Sequence, residues 1–162
     1  MSTENPAAAL TERVDNPIYV ICARHGEERA GCVAGYVTQC SLDPARFLIC
    51  ISKANHTYEV AKSSEGLSLH LLGSEQHDLA VLFGHLTGDM SDKFSKCEWT
   101  TGTTGVPLLQ RCAAWMEGTV LATHDVGDHV AFLVAPINGG FGPEEGQLTA
   151  KQTSDIEAGH PG

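Results

Sequence analysis

Four polar side chains stand in succession at Thr38-Gln39-Cys40-Ser41, and a cationic, amide-rich segment follows at Lys53-Ala54-Asn55-His56-Thr57. Hydroxyls and backbone N–H groups beside a helix start are able to hold an anion, and Lys53 adds positive charge. The same residue types also build turns and N-caps. Residue chemistry alone leaves both readings open and leans to the turn and cap. A third group is His124-Asp125-Val126-Gly127-Asp128-His129. A tight turn over Asp125 to Asp128 would set His124 and His129 face to face. Local spacing offers no third ligand, so a metal centre is not indicated. A single His at the mouth of a barrel, meeting a substrate or a cofactor phosphate, is the better functional reading; a solvated hairpin tip is the plain one. His77 and His85, eight residues apart, read as surface or interface residues. No Ser-His-Asp or Cys-His set is indicated, and nothing in the sequence marks Cys40 as a low-pKa nucleophile.

The elements that must position these groups follow from hydrophobic pattern and turn signals. Residues 1–15 read as a loose arm with a short helix at Ala7 to Arg13, and residues 16–137 as the folded domain. Pro17 to Arg24 and Arg29 to Thr38 read as two strands of a hairpin around His25-Gly26-Glu27-Glu28. Phe47 to Ser52 is a strand too uniformly apolar to have a wet face. Thr57 to Glu65 reads as a helix capped near His56 or Thr57 and stopped at Gly66. Leu67 to Leu72 is a short strand, and Ser74-Glu75-Gln76-His77 opens a second helix running through Leu79, Phe83 and Leu86. Gly88 to Lys96 is a polar connection. Two long strands close the domain, Leu108 to Ala122 and Val130 to Ile137, with Trp99 and Trp115 as core or interface aromatics. Residues 138–162, rich in Gly, Pro, Glu and Thr, read as a loosely held tail. At least six mostly hairpin-connected strands and two short helices favour a small β-barrel or sandwich, and no GxGxxG follows any strand.

Composition narrows the function classes. The chain has 162 residues, 42% hydrophobic and 19% charged, which suits one globular domain. A net charge of −10 argues against nucleic acid as a partner. It leaves room for a local anion pocket. Six cysteines without a CxxC pair, several within apolar runs, read as buried thiols of a reducing, cytoplasmic protein. No apolar run approaches the roughly 20 residues of a spanning helix, so no membrane is expected.

The ordered set of motifs resembles the flavin reductase-like family. Its carriers are Gly35-x-x-Thr38-x-x-Ser41-Leu42-Asp43-Pro44, a buried strand, and Asn55-x-Thr57 opening a helix. They continue in Gly66-Leu67-Ser68-Leu69-His70-Leu71-Leu72, where the usual pattern is G-F-x-V-N-x-L, then Gln76-x-x-Leu79-Ala80-x-x-Phe83, Asp92-Lys93-Phe94 and Gly127-Asp128-His129. The resemblance spans about Asn16 to Pro136 and departs from the family pattern at Gln39-Cys40. It implies a mainly β, FMN-binding split barrel with short helical insertions, as a homodimer. It further implies hydride transfer from NADH or NADPH to FMN, with FAD or the deazaflavin F420 as alternative flavins and a monooxygenase as downstream partner. A flavin- or haem-binding split-barrel electron carrier is the non-enzymatic alternative. Gly35, Tyr36, Thr38, Gln39, Cys40 and Ser41 would line the flavin ring and ribityl chain. Lys53, Asn55, His56 and Thr57 would hold its phosphate, Lys93 and Phe94 would close the site, and His129 would face the nicotinamide.

Overall fold

The computed structural model describes residues 5–85 and 93–156. The expected positions Leu86, Gly88 to Asp92 and 157–162 lie outside the described residues. A short helix, α1 (Ala8–Arg13), precedes the hairpin β1 (Tyr19–His25) and β2 (Glu28–Ala34). A second hairpin pairs β3 (Val37–Leu42) with β4 (Ala45–Ser52). Then follow α2 (His56–Ala61), β5 (Gly66–Leu71), α3 (His77–His85) and a 3₁₀ turn at Lys93–Lys96. The ribbon β6 (Trp99–Thr101) and β7 (Pro107–Leu109) leads into the long pair β8 (Ala114–Asp125) and β9 (His129–Phe141). One antiparallel sheet of seven strands runs β2-β1-β5-β8-β9-β4-β3. The expected mainly β architecture with few short helices is what the chain adopts. No helix among the described residues is long and apolar enough to cross a membrane.

The sheet is covered on both sides, and β1 shows why its sequence reads as one apolar run. Ile21 and Ala23 enter one core with Ile49, Ile51, Leu67, Phe132 and α2. Val20 and Cys22 enter the other with Leu72, Phe83, Leu109 and Cys112. Alternate side chains point to opposite faces, so a strand buried on both cannot alternate in polarity. Two buried polar residues tie the small ribbon to the sheet. On β5, His70 pairs its Nδ1 with the Val20 carbonyl at 2.9 Å, and its Nε2 accepts the Leu109 N–H at 3.0 Å. On β8, the fully buried Glu117 accepts the Thr103 N–H at 3.1 Å and both the Thr104 N–H and hydroxyl at 2.7 Å. This carboxylate fixes the turn between β6 and β7 (Gly105 φ 88°), where glycine's freedom is needed.

Four expectations are corrected. The strand expected over Arg29 to Thr38 breaks at Gly35-Tyr36, and its two parts lie at opposite edges of the sheet. Thr38 to Ser41 is therefore an edge strand and not a turn after one. The strand expected over Leu108 to Ala122 also divides. Arg111 takes φ 73°, a left-handed conformation that ends β7, and the buried Cys112 anchors the join. The helix expected over Thr57 to Glu65 stops at Ala61. Residues 138–156, expected to hang loose, are docked: β9 runs on to Phe141, and Leu148 is 3% exposed within the second core. Main-chain bonds hold Leu148 on both sides, from the Ile18 N–H at 2.8 Å and to the Leu72 carbonyl at 2.9 Å.

Candidate functional site

The β3–β4 hairpin carries a one-residue bulge. Gln39 pairs with Phe47 and Ser41 with Arg46, which leaves Cys40 without a cross-strand partner. Thr38 pairs with Leu48, two residues from Arg46. Paired residues share a face, and residues two apart on one strand share a face. The bulge thus brings Thr38 and Ser41 to the same face, although residues three apart on a regular strand face opposite ways. Thr38 donates its hydroxyl to the Gln39 carbonyl at 3.1 Å, and the Gln39 amide donates to the Ser41 carbonyl at 3.0 Å. Gln39, Cys40, Ser41, Leu42 and Asp43 line an open depression of about 660 Å³. Among the described residues its lining comes from this hairpin alone, and Leu42 at its tip is 84% exposed.

A second cluster forms where β4 ends. Ser52 pairs with His129, and the Lys53 N–H donates to the Asp128 carbonyl at 2.9 Å. The Lys53 ammonium donates to Asp125 Oδ2 at 2.8 Å, and Asp125 Oδ1 accepts the Gly127 N–H at 3.1 Å. The Lys53 bond and the Gly127 N–H hold the Asp125 carboxyl below the usual carboxylate range. His129 Nδ1 sits 2.7 Å from Asp128 Oδ1, a contact that depresses the Asp128 carboxyl. That bond fixes the ring's orientation and directs Nε2 away from Asp128. The Tyr36 ring lies against the imidazole, with centroids 5.3 Å apart and planes at 52°. His129 is only 9% exposed, so it is a walled group and not a hairpin tip.

The turn from β4 into α2 carries the remaining polar set. The cap expected at His56 or Thr57 is Asn55, which accepts the Thr57 N–H at 2.9 Å through its side-chain carbonyl. His56 Nε2 lies 2.8 Å from Glu28 Oε2. Thr57 is fully buried, so its hydroxyl faces the core beneath α2 and does not reach solvent.

The sequence-predicted residues therefore sort by place. Tyr36, Lys53 and His129 meet at one end of β3, β4 and β9; Thr38, Gln39, Cys40 and Ser41 follow along β3; Asn55 and His56 occupy the adjoining turn. Gly35 lies in the break before β3. Lys93 and Phe94 sit elsewhere. Lys93 is buried and donates to the carbonyls of Gly31 at 3.1 Å and Phe83 at 3.2 Å, with burial pulling its pKa down. Phe94 packs edge-on between Phe83 and Trp99, with centroids at 5.5 and 5.7 Å. The expectation that this pair closes the site is corrected to a core role: the Lys93 charge is spent on carbonyls. The expectation that His124 faces His129 is also corrected, because His124 pairs with Ala131. Sequence reading missed Glu28 and Asp125 as the partners of His56 and Lys53. They lie 28 and 72 residues away, and no local spacing links them.

Comparisons with known proteins extend these observations. The chain is 29% identical over 100 residues to the stachydrine N-demethylase reductase subunit Stc3 of Rhizobium meliloti, covering 62% of this chain and 42% of that protein. It is 30% identical over 101 residues to the FMN reductase (NADH) RutF of Stutzerimonas stutzeri, covering 62% of this chain and 58% of that one. The chain thus spans less than two thirds of each relative. Among solved structures, the NADH:FAD oxidoreductase SgcE6 of Streptomyces globisporus superposes with a TM-score of 0.81 at 23% identity, covering 92% of both chains. That likeness shows the fold. Residues 11–153 match the model of the flavin reductase like domain, and the chain accordingly belongs to the flavin reductase-like family.

Proposed function

We propose that this protein is an NAD(P)H:flavin reductase that uses FMN, passes reduced flavin to a separate monooxygenase and works as a homodimer. The observation that carries the reading is the family match across 11–153, which includes every residue of the two clusters. Relatives named as an NADH-dependent FMN reductase and as the reductase subunit of a flavin-dependent monooxygenase support the nicotinamide donor and the partner.

The residues fit a flavin. Thr38 and Ser41 present two hydroxyls on one face beside an open depression large enough for a planar ring system. Lys53 supplies a cation and His56 a ring N–H donor for the phosphate, and Asn55 holds their turn in shape. Flavin, when bound, supplies the hydride-accepting chemistry, and the protein supplies binding, orientation and electrostatics. Tyr36 and Asp128 hold the His129 ring in place, where it would face the nicotinamide. No general base is needed for hydride transfer, and near-attack stacking of the two rings is the main contribution of the site. The lining of the depression comes from one edge hairpin, so a second copy of the chain would supply the facing wall.

The test is direct. FMN fluorescence should be quenched on titration with the purified protein, and NADH or NADPH absorbance at 340 nm should fall when free FMN is added. Quenching without nicotinamide oxidation would favour the electron-carrier reading, and quenching of F420 but not FMN would reassign the flavin. The absence of both effects would refute the proposal.

A further inference from the structure

Both candidate phosphate donors at the β4–α2 turn, the Lys53 ammonium and the His56 imidazole, are occupied by carboxylates of the same chain. Lys53 is held by Asp125 at 2.8 Å and His56 by Glu28, also at 2.8 Å. The two acids come from different hairpins: Glu28 opens β2, and Asp125 ends β8. Neither is buried, with side-chain exposures of 70% for Asp125 and 58% for Glu28. Asp125 is held by the Gly127 N–H through its other oxygen, so it stays aimed at Lys53 without depending on that bond.

We propose that Asp125 and Glu28 compete with the ligand's phosphate for Lys53 and His56, and so set how loosely FMN is held. This rests on the flavin reading above and adds a determinant of affinity to it. A phosphate dianion outbids a carboxylate for the same donor because it carries more charge and more acceptor oxygens. Exposed ion pairs are weak, so both acids yield to it. The exchange still costs the two pairs and brings phosphate close to two displaced negative groups, on a chain already at −10. The ring end of the flavin is untouched by this competition. A reductase that hands its flavin on gains from such an arrangement, because the product leaves from a phosphate grip that the protein itself refills.

Riboflavin, which has the ring and no phosphate, separates the two ends. Dissociation constants for FMN and riboflavin are measured by fluorescence quenching for the wild type, Asp125→Asn, Glu28→Gln and the double variant. The expected result is FMN binding about threefold tighter for each single variant and about tenfold for the double, with riboflavin unchanged. Asp155→Asn serves as a control, since it removes one charge from another His–carboxylate pair, His77 with Asp155 at 3.0 Å. The competition is overturned, with the flavin reading intact, if FMN affinity does not rise in the variants. It is equally overturned if riboflavin tightens as much as FMN, or if the control matches the site variants. If neither the wild type nor any variant binds either flavin, the flavin reading falls and this inference with it.

Discussion

Replacing His70 with Asn should flatten the acid limb of the protein's stability. His70 is fully buried between β1 and β7, its Nδ1–H on the Val20 carbonyl and its Nε2 accepting the Leu109 N–H. Burial lowers its pKa from the ordinary 6.5 to about 4. In an unfolded chain the same imidazole takes up a proton near pH 6.5, so below that pH the unfolded state binds more protons than the folded one. The stability due to neutral His70 is complete above pH 6.5, falls as the pH drops towards 4, and then levels off. Two and a half pH units at 1.36 kcal/mol per unit amount to roughly 3 kcal/mol. That is a large share of the 5–15 kcal/mol typical of a domain. Asparagine keeps a donor and an acceptor but does not titrate. The measurement is the urea midpoint from tryptophan fluorescence, taken at half-unit steps between pH 7.5 and 4.5. At pH 7 the variant should be less stable by about 1–3 kcal/mol, because the shorter side chain cannot span both partners. The difference between the two proteins should then shrink as the pH falls. Parallel curves across that range would refute the reasoning, whatever the offset.

Other outcomes follow from the same geometry. Glu117→Ala strips three donors in the β6–β7 turn of their buried acceptor and should cost about 3 kcal/mol by chemical denaturation, with Glu117→Gln costing less. His129→Ala should raise the KM for the nicotinamide cofactor by about tenfold in steady-state assays while leaving the FMN dissociation constant near wild type. Cys40 is the exposed thiol, whereas Cys22, Cys32 and Cys112 are buried, with burial pushing Cys32 up to about 11 and Cys112 up to about 12. Mass spectrometry after brief maleimide treatment of native protein should therefore find Cys40 labelled well ahead of those three, and saturating FMN should slow that labelling.

Much of the fold was legible where burial leaves an unbroken apolar run, as in β1, β4 and the first half of β9. The edge strand β3 was not, because Thr38 to Ser41 are polar residues that pair with only one neighbour and face solvent. Their composition is that of a turn. The docked segment after Phe141 was hidden for a related reason: its apolar residues Leu148, Ala150 and Ile156 are scattered among polar ones, and main-chain bonds to Ile18, Leu72 and Asn16, which no sequence pattern shows, help to anchor it. At the site, residue types marked 53–57 as a turn and cap but set the cap at His56 or Thr57, one or two residues past Asn55, and they set His129 beside its turn. They misplaced Lys93, since a lysine's sequence does not tell whether its ammonium meets a ligand or two carbonyls. The pairs Lys53–Asp125 and His56–Glu28 were beyond reach because strand order, not spacing, brings them together.

The bulge at Cys40 separates the identity of a residue from its presence. The side chain at this position makes no cross-strand pair, so many residue types would serve there. Removing the position altogether would restore strict alternation and turn Ser41 to the face opposite Thr38. Over evolutionary time position 40 should accept substitution more freely than Thr38 or Ser41 and resist deletion. A pattern search should accordingly count its residues before it weighs what they are.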